Sequence, residues 1–487
     1  MLFRSMRALM RLAAALVVAG TAACNRGPAV VTILHFNDVY EIEPVEGGQA
    51  GGLARVAALR AKLLQTSSPV LTTLGGDYLS PSAIGTAVVD GQPLAGKQMV
   101  DVLNAVGLDW ATFGNHEFDV TEAAFQQRLR EQRFRLVSSN VTNATGSAFE
   151  GVERSVVIAV RAKGRDLHIG LIGLTIDANR KPWVKYAPGI EAARSEIAKL
   201  RAAGRLDAVV ALTHLSLAQD QELVSAIDDI DLVLGGHEHE NWSIRRGSRF
   251  TPVLKGDSNV RSAVVATLTF NRADGRPVIG ERLEVIDDRI TADPQVEARA
   301  AGWRTRAFDA FKKQGFAPEA VVGTIASPLD GRESTVRNQP GPLTDLILAA
   351  ELREAPGAQV ALLNGGSVRI DDVLPPGPVT QYDVIRLLPF GGAVARATFD
   401  GGLLAQVLDM GGNNQGTGGY LHVAGIKRAD VKPSAKYVVA LPEFLLTGGE
   451  TNLGFLTRDN PHVKDVQMFR DIRQAVIREL GSRGAGK

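Results

Sequence analysis

The stretch TLGGDYLSPS (73–82) is an apolar strand end that stops at two glycines and presents an aspartate, Asp77. Two later stretches have the same form, TFGNHEFDVT (112–121) and LGGHEHEN (234–241). Glycine lets the backbone turn sharply at such points, and the residue that follows is a carboxylate, a carboxamide or an imidazole. Chemistry-bearing side chains at strand ends are what an α/β sheet offers along its carboxyl edge, where ligands bind.

Outward from these stretches, short apolar runs alternate with amphipathic helical ones from Val30 to about Asp288. VVTILHF precedes GGLARVAALRAKLLQ, VLTTLGGD precedes KQMVDVLNAVGL, and LHIGLIGLT precedes IEAARSEIAKLRAAG. The alternation predicts an α/β domain on a buried sheet. Asp38, Asp77, Asn115, His214, His237 and His239 each fall directly after an apolar run. Four of the eight histidines, His116, His214, His237 and His239, lie at these strand ends. Aspartate, histidine and asparagine donors without a thiolate suit divalent Mn, Zn, Fe, Co or Ni, with Mg or Ca at the oxygen-rich part. One shared carboxylate, expected to be Asp77, would bridge two ions and so clamp both oxygens of a phosphoryl transfer.

A chain of 487 residues exceeds what a single core organises, so two domains are expected. The net charge of +1 provides no field for nucleic acid or a membrane surface. The first residues, MLFRSMRALMRLAAALVVAGTAAC, place Arg4, Arg7 and Arg11 before a short apolar run and read as a secretory signal over 1–24. Cys24 is the only cysteine. Its position resembles the lipidated cysteine of a bacterial lipoprotein signal, with Thr21 where that pattern usually has Leu or Val. A lipid anchor at Cys24 on an extracytoplasmic (periplasmic or cell-envelope) protein is therefore expected. Residues 289–320 lose the strand rhythm and read as a charged connecting helix, and a second α/β segment follows it.

Taken in order, Asp38, GGD (75–77), GNHE (114–117), LTH (212–214) and GGHEH (235–239) resemble the calcineurin-type metallophosphoesterases. Over residues 30 to about 470 the chain is similar to the secreted bacterial 5′-nucleotidase family. The resemblance implies a four-layer αββα metallophosphoesterase domain at 30–288, a helical linker or hinge at 289–320, and a smaller α+β nucleotide-binding domain at 321–487. It further implies two divalent metal ions, drawn from Mn, Zn, Mg or Co. Asp77 would bridge them, with Asn115, His214 and His237 on one side and Asp38 and His239 on the other. His116 and Asp119 would form a catalytic dyad. Asn115, Arg337, Asn364 and Arg369 would face the substrate, and Phe390 would stack on its base. The implied reaction releases phosphate from nucleoside 5′-monophosphates or related nucleotides, with a hydroxide held by the metals as nucleophile.

The chain departs from that family in two places. Where the family has Asp-x-His, this sequence has Asp38-Val39-Tyr40, so an imidazole ligand is missing. Tyr40 as phenolate, a water in its place, and a weakly loading site are the three arrangements open, and the water is the expected one. Glu41 and Glu43 are nearby reserve donors, expected to lie in a solvated loop. Near the C-terminus TGGETNLGF (447–455) puts Asn452 where a second stacking aromatic is usual, which leaves half of the base sandwich missing unless Phe455 reaches in. Two other readings remain open from sequence: a thiosulfohydrolase-like enzyme of sulfur oxidation on the same fold, and a non-catalytic, lipid-anchored nucleotide-binding protein.

Overall fold

Eight consecutive residues, AVVTILHF, bury almost every side chain because the strand they form, Ala29–Phe36, is covered on both faces. In the computed structural model, which describes residues 27–66, 68–271 and 275–484, this strand pairs in parallel with Val70–Leu74 and antiparallel with Ser262–Phe270. It is the third strand of a seven-stranded sheet that continues beyond Val70–Leu74 through Trp110–Ala111, Arg135–Val137 and Val152–Glu153, and beyond Ser262–Phe270 to Val278–Val285. The leader and Cys24 lie outside the described residues.

A second sheet of six strands runs Trp242–Arg246, Thr251–Lys255, Leu232–Gly235, Ala208–His214, Arg165–Thr175 and Ser155–Ala162. Val31, Ile33, Leu268 and Phe270 of the first sheet pack against Leu167, Ile169, Leu212 and Leu234 of the second, forming an apolar layer between them. Helices Leu53–Leu64 and Lys97–Val106 cover the outer face of the first sheet, and Gly189–Ala203 and Leu217–Ala226 that of the second. The order is helix, sheet, sheet, helix. Most strands in the interior pair in parallel, so their carboxyl ends gather on one edge and bring their terminal residues together.

The connecting helix, Pro294–Lys313, starts at Asp293, whose side chain accepts hydrogen bonds from the backbone of Gln295 and Val296. It is not a free spacer, because Val296, Ala300, Trp303, Ala307 and Phe311 are buried in the same core as the first helices. Beyond it lies a five-stranded mixed sheet ordered Leu421–Ala424, Val360–Asn364, Lys436–Pro442, Ala393–Asp400 and Val463–Asp471. Helices Pro342–Glu354 and Gly401–Asn413 sit on its two faces, each with its own apolar cluster. Among the described residues no helix is long and apolar enough to cross a membrane.

Two buried polar side chains fix the edge where the sheets meet. Lys255, fully buried, lies 2.9 Å from Asp220 and donates to the carbonyls of Leu215 and Gly236, so it secures the loop before His237. His35 lies 3.0 Å from Thr73 Oγ1 and 3.0 Å from the Gly235 carbonyl, which ties the first strand to both glycine loops. Burial lowers its pKa to about 4, helped by Lys255 and opposed by the Gly235 carbonyl. The unfolded chain therefore takes up a proton between pH 6.5 and 4 that the folded one refuses, and stability falls as pH falls through that window. The expected loss attributable to His35 is about 3 kcal/mol. Urea unfolding of the wild type and of His35→Gln at pH 7 and pH 4.5 checks this: the drop should be smaller in the variant, and equal drops would show that His35 is not its source.

Candidate metal and substrate site

Asp38, Asp77, His237 and His239 all adopt left-handed backbone conformations, with φ of 53°, 58°, 83° and 59°. Such residues are strained by about 1 kcal/mol or more each, and they persist only where surrounding contacts hold them. Here the contacts are close approaches between strand-end loops. A Cβ on Gly114 would collide with Asp77 Oδ1, and one on Gly236 would come within 2.5 Å of the Gly75 carbonyl. Gly236 therefore serves close approach, not a turn requiring positive φ.

The loops are braced by Glu117, which is fully buried. Its carboxylate accepts the backbone N–H groups of Asp77 (3.0 Å), Tyr78 (2.7 Å), Leu79 (3.2 Å) and Gly114, tying GGD to GNHE. Glu117 lies inside the GNHE motif, where residue type and spacing alone do not distinguish a brace from a ligand.

Within this frame Asp38, Asp77 and His214 converge, each buried, as a group able to hold a metal ion. His214 Nδ1 donates to the Gly75 carbonyl at 2.7 Å, which fixes the ring and turns Nε2 toward Asp77 Oδ2 at 3.3 Å and Asp38 Oδ1 at 3.9 Å. That Nε2 is buried and makes no hydrogen bond to either carboxylate; Asn115 Oδ1 is likewise buried without a partner. A buried acceptor and a buried imidazole nitrogen without hydrogen bonds fit the donor set of a divalent ion. The His237 ring lies 5.2 Å from that of His214, and burial, with the neighbouring His214, pushes its pKa well down, leaving a neutral imidazole.

The electrostatics of the group follow from two carboxylates removed from water. Burial pushes Asp38 up, against the pull of His214 and His239. Burial opposes ionisation of Asp77 too, but His214 and His116 hold it well below the usual carboxylate range. For His214 burial works downward, and Asp77 and Asp38 outweigh it, carrying the imidazole up to about 9. The same field that draws a proton onto His214 draws a cation.

The Tyr40 phenol is turned inward: its oxygen lies 2.9 Å from His239 Nε2, 3.1 Å from Asp77 Oδ2 and 3.4 Å from Asp38 Oδ1. Glu41 does not lie in a solvated loop: it is buried and pairs with Arg386 at 3.1 Å, while Glu43 pairs with Arg304 at 3.1 Å. Both carboxylates serve contacts to helices, and neither is spare.

His116 Nδ1 lies 2.5 Å from Asp119 Oδ2, and its backbone N–H donates to Asp77 Oδ1 at 2.8 Å. Asn179, in a loop that carried no sequence signal, donates to Asp119 Oδ1 at 3.1 Å and lies 3.2 Å from His116 Nδ1. With Nδ1 engaged, Nε2 is the ring nitrogen left to act. His116, Asn115, Asp77, His237 and His239 line a cavity of about 690 Å³ shared with Arg337, Glu333 and Asp371 of the second domain.

The other expected substrate residues are divided. Arg337 and Arg369 both pair with Glu333, Arg369 at 3.2 Å, and Glu333 is itself 3.7 Å from His239 Nδ1. The Arg369 guanidinium lies 5.8 Å from the centre of the Phe390 ring. Phe390 is half exposed and lines an adjoining cavity of about 1130 Å³ together with Asp119. Asn364 is committed inside the second domain, donating to Glu450 at 2.6 Å and accepting from Ser367. Phe455 packs on the apolar core of that domain, and Asn452 is held by Asn414, so Phe390 faces its cavity without an aromatic partner from that loop.

Several known proteins resemble this arrangement. A family model described as calcineurin-like phosphoesterase matches residues 31–241, and one described as 5′-nucleotidase, C-terminal domain, matches residues 321–429. The trifunctional nucleotide phosphoesterase protein YfkN of Bacillus subtilis is 23% identical over 67% of this chain, and the match spans 25% of that longer protein. A 5′-nucleotidase of Vibrio cholerae is 25% identical, with 90% of each chain covered. Among solved structures, a 5′-nucleotidase precursor from Thermus thermophilus shares the fold, with a TM-score of 0.76 at 21% identity over 93% of this chain and 97% of that one.

If Glu117 is the brace, Glu117→Gln turns an amide donor toward backbone N–H groups and should cost about 1–3 kcal/mol. Urea unfolding and metal content after dialysis measure the two consequences, lower stability and poorer retention of metal. A variant as stable and as metal-retentive as the wild type would remove Glu117 from that role.

Proposed function

The chain belongs to the 5′-nucleotidase family, a calcineurin-like phosphoesterase domain followed by a 5′-nucleotidase C-terminal domain, and from that premise we propose that it releases phosphate from nucleoside 5′-monophosphates or related nucleotides outside the cytoplasm. It is a metal-dependent phosphoric ester hydrolase. The observation that carries the substrate reading is the placement of the His116–Asp119 pair against Asp77 in a cavity whose other wall comes from the second domain.

In this reading residues 30–288 do the chemistry and residues 321–487 select the substrate. Asp77, Asn115, His214 and His237 would hold one divalent ion, and Asp38, His239 and Asp77 a second. Such ions, when bound, would supply an activated water and positive charge for the phosphoryl group. His116 faces that group with Nε2. Asp119 and Asn179 keep the ring oriented and favour its protonated form as negative charge develops on the substrate oxygens. Arg337 and Arg369 have donors to spare beyond Glu333, since each guanidinium carries five N–H groups. Phe390 gives a nucleobase one face to stack on, worth about 1–3 kcal/mol. The 447–455 loop adds no second stacking face, so the base is held less tightly by that one stack. The signal over 1–24 and lipidation of Cys24 would deliver and tether the enzyme to the cell envelope.

The test is phosphate release by protein stripped with chelator and reloaded separately with Mn, Mg, Zn or Co, against AMP, UDP-glucose, 2′,3′-cyclic AMP and a sulfur-carrier thiosulfonate. Hydrolysis of nucleotides restored by metal, with no cleavage of the thiosulfonate, is expected. Silence toward every nucleotide in folded, metal-loaded protein would overturn the reading. His116→Ala should lower kcat about 10²–10⁴-fold with metal content unchanged, and full activity in that variant would deny His116 its role.

A further inference from the structure

We propose that the end of the first domain opposite the metal donors is a docking face for a bilayer that contains anionic phospholipid. The inference goes beyond the hydrolase reading and takes from it only the lipid anchor at Cys24.

The placement follows from strand register. Ala29–Phe36, Val70–Leu74, Ala208–His214 and Leu232–Gly235 end at the site, so their first residues share the opposite end. Thr251–Lys255 runs parallel to Leu232–Gly235, which puts Phe250 at that end too. Val30 pairs with Thr269, and Thr269 with Val278, so Val278 stands two strand spacings, about 10 Å, from Val30. Cys24 precedes Gly27 by only three residues, a reach of roughly 10 Å when extended. A lipid on Cys24 would hold this end, and no other, against a membrane.

Among the described residues the two most exposed large apolar side chains are Phe250, 71% exposed, and Val278, 61% exposed. Both line one cavity of about 250 Å³, together with Arg245, Arg249, Arg276 and Asp231. Its walls are fixed by ion pairs. Arg276 pairs with Asp229 and Asp231, each at 3.1 Å, and Arg245 with Glu281 at 2.9 Å. Ser248 Oγ donates to Asp228 at 2.6 Å and so holds the turn that carries Phe250, whose φ is 53°. Arg249 is exposed and makes no ion pair or side-chain hydrogen bond among the described residues. The same is true of Lys163, in the neighbouring turn before Arg165, which donates to the Phe270 carbonyl at 2.8 Å.

Singly exposed apolar residues are ordinary on a protein surface. Here two stand beside an unneutralised guanidinium, and a phospholipid interface offers the matching pair, an apolar boundary next to phosphate. Free phosphate would satisfy Arg249 but leave Phe250 and Val278 in water, which selects the lipid over the soluble anion. The net charge of +1 averages over the whole chain. At this end the carboxylates of Asp166, Asp229 and Asp231 are already taken by arginines, and the charge left over is positive. Docked in this way, the protein turns its metal donors and substrate cavity toward solution.

The experiment takes the chain from residue 24 on, with Cys24→Ser, which keeps every described residue and removes the point of lipid attachment. Its co-sedimentation with vesicles of phosphatidylglycerol and phosphatidylcholine is compared with that on phosphatidylcholine alone. Binding to the anionic vesicles only, weakening as NaCl is raised, is expected. Arg249→Glu and Phe250→Ser should each weaken it about tenfold or more, whereas Lys432→Glu, an exposed change in the second domain, should not. Urea midpoints establish that each variant is folded. Phe250→Trp gives a second reading, since brominated acyl chains should quench its emission beyond that of the wild type. No binding to anionic vesicles, equal binding to both kinds, binding unchanged in Arg249→Glu and Phe250→Ser, or no added quenching each overturns the proposal. The anchor is scored separately, by the mass of the chain recovered from the cell envelope. Unmodified Cys24 with vesicle binding intact refutes the anchor alone, whereas lipidated Cys24 with no binding by the Cys24→Ser chain refutes the docking face alone.

Discussion

Two carboxylates, Asp38 and Asp77, are buried side by side where water does not reach them. Like charges in such a place cannot both ionise unless positive charge or donated hydrogen bonds surround them. The surroundings answer that requirement from every direction. Asn37 Nδ2 and the His237 N–H donate to Asp38, at 2.7 and 2.9 Å, and the His116 N–H donates to Asp77. His214 lies between the two. The left-handed backbone at four of the donors, the glycines that let loops touch and the Glu117 brace all serve to hold these groups at that distance. A protein with this interior gains from a cation, and metal dependence follows from the packing as much as from the identity of the ligands.

The second domain enters the same network. Asp371 reaches His239 at 3.0 Å, accepts from Ser258 and lies 3.6 Å from Arg261. Burial works to lower the His239 pKa, but Asp371, Glu333 and Asp38 carry it up to about 10. A second crossing joins Glu41 to Arg386 and Arg386 to Asp372, each at 3.1 Å. The part expected to choose the substrate is therefore in electrostatic contact with the part expected to cleave it. Glu333 is the meeting point, since it holds Arg337 and Arg369 and lies close to His239. An anionic substrate competing for those arginines would loosen their hold on Glu333, and the change would be felt one residue away at the metal site.

Much of this was readable along the chain. Apolar runs ending in Asp77, Asn115, His214 and His237 marked strands and their carboxyl edge, because a buried strand must be apolar and the first polar residue after it stands at the sheet margin. The helices were readable from their periodicity, and His116 with Asp119 fell within one turn of chain. Other features left no trace of that kind. Asn179 reaches Asp119 and Asp371 reaches His239 from loops of ordinary composition, across 60 and 132 residues of chain. The closing strand Ser262–Phe270 finds its partner Ala29–Phe36 across more than 200 residues.

What the sequence determined by itself was the chemistry on offer: which donors follow which strands, that no thiol cluster competes for metal, and that a phenol, Tyr40, stands two residues after Asp38. What only the tertiary structure decided was where those donors meet. It put the Tyr40 oxygen among Asp38, Asp77 and His239, turned Phe455 into a core, and enclosed Glu41 in an ion pair with Arg386. The reason is physical. Residue type and local spacing set the strand, the turn and the donor atom, whereas a distance of 3 Å between side chains remote in sequence depends on how two sheets, two glycine loops and a second domain pack against one another.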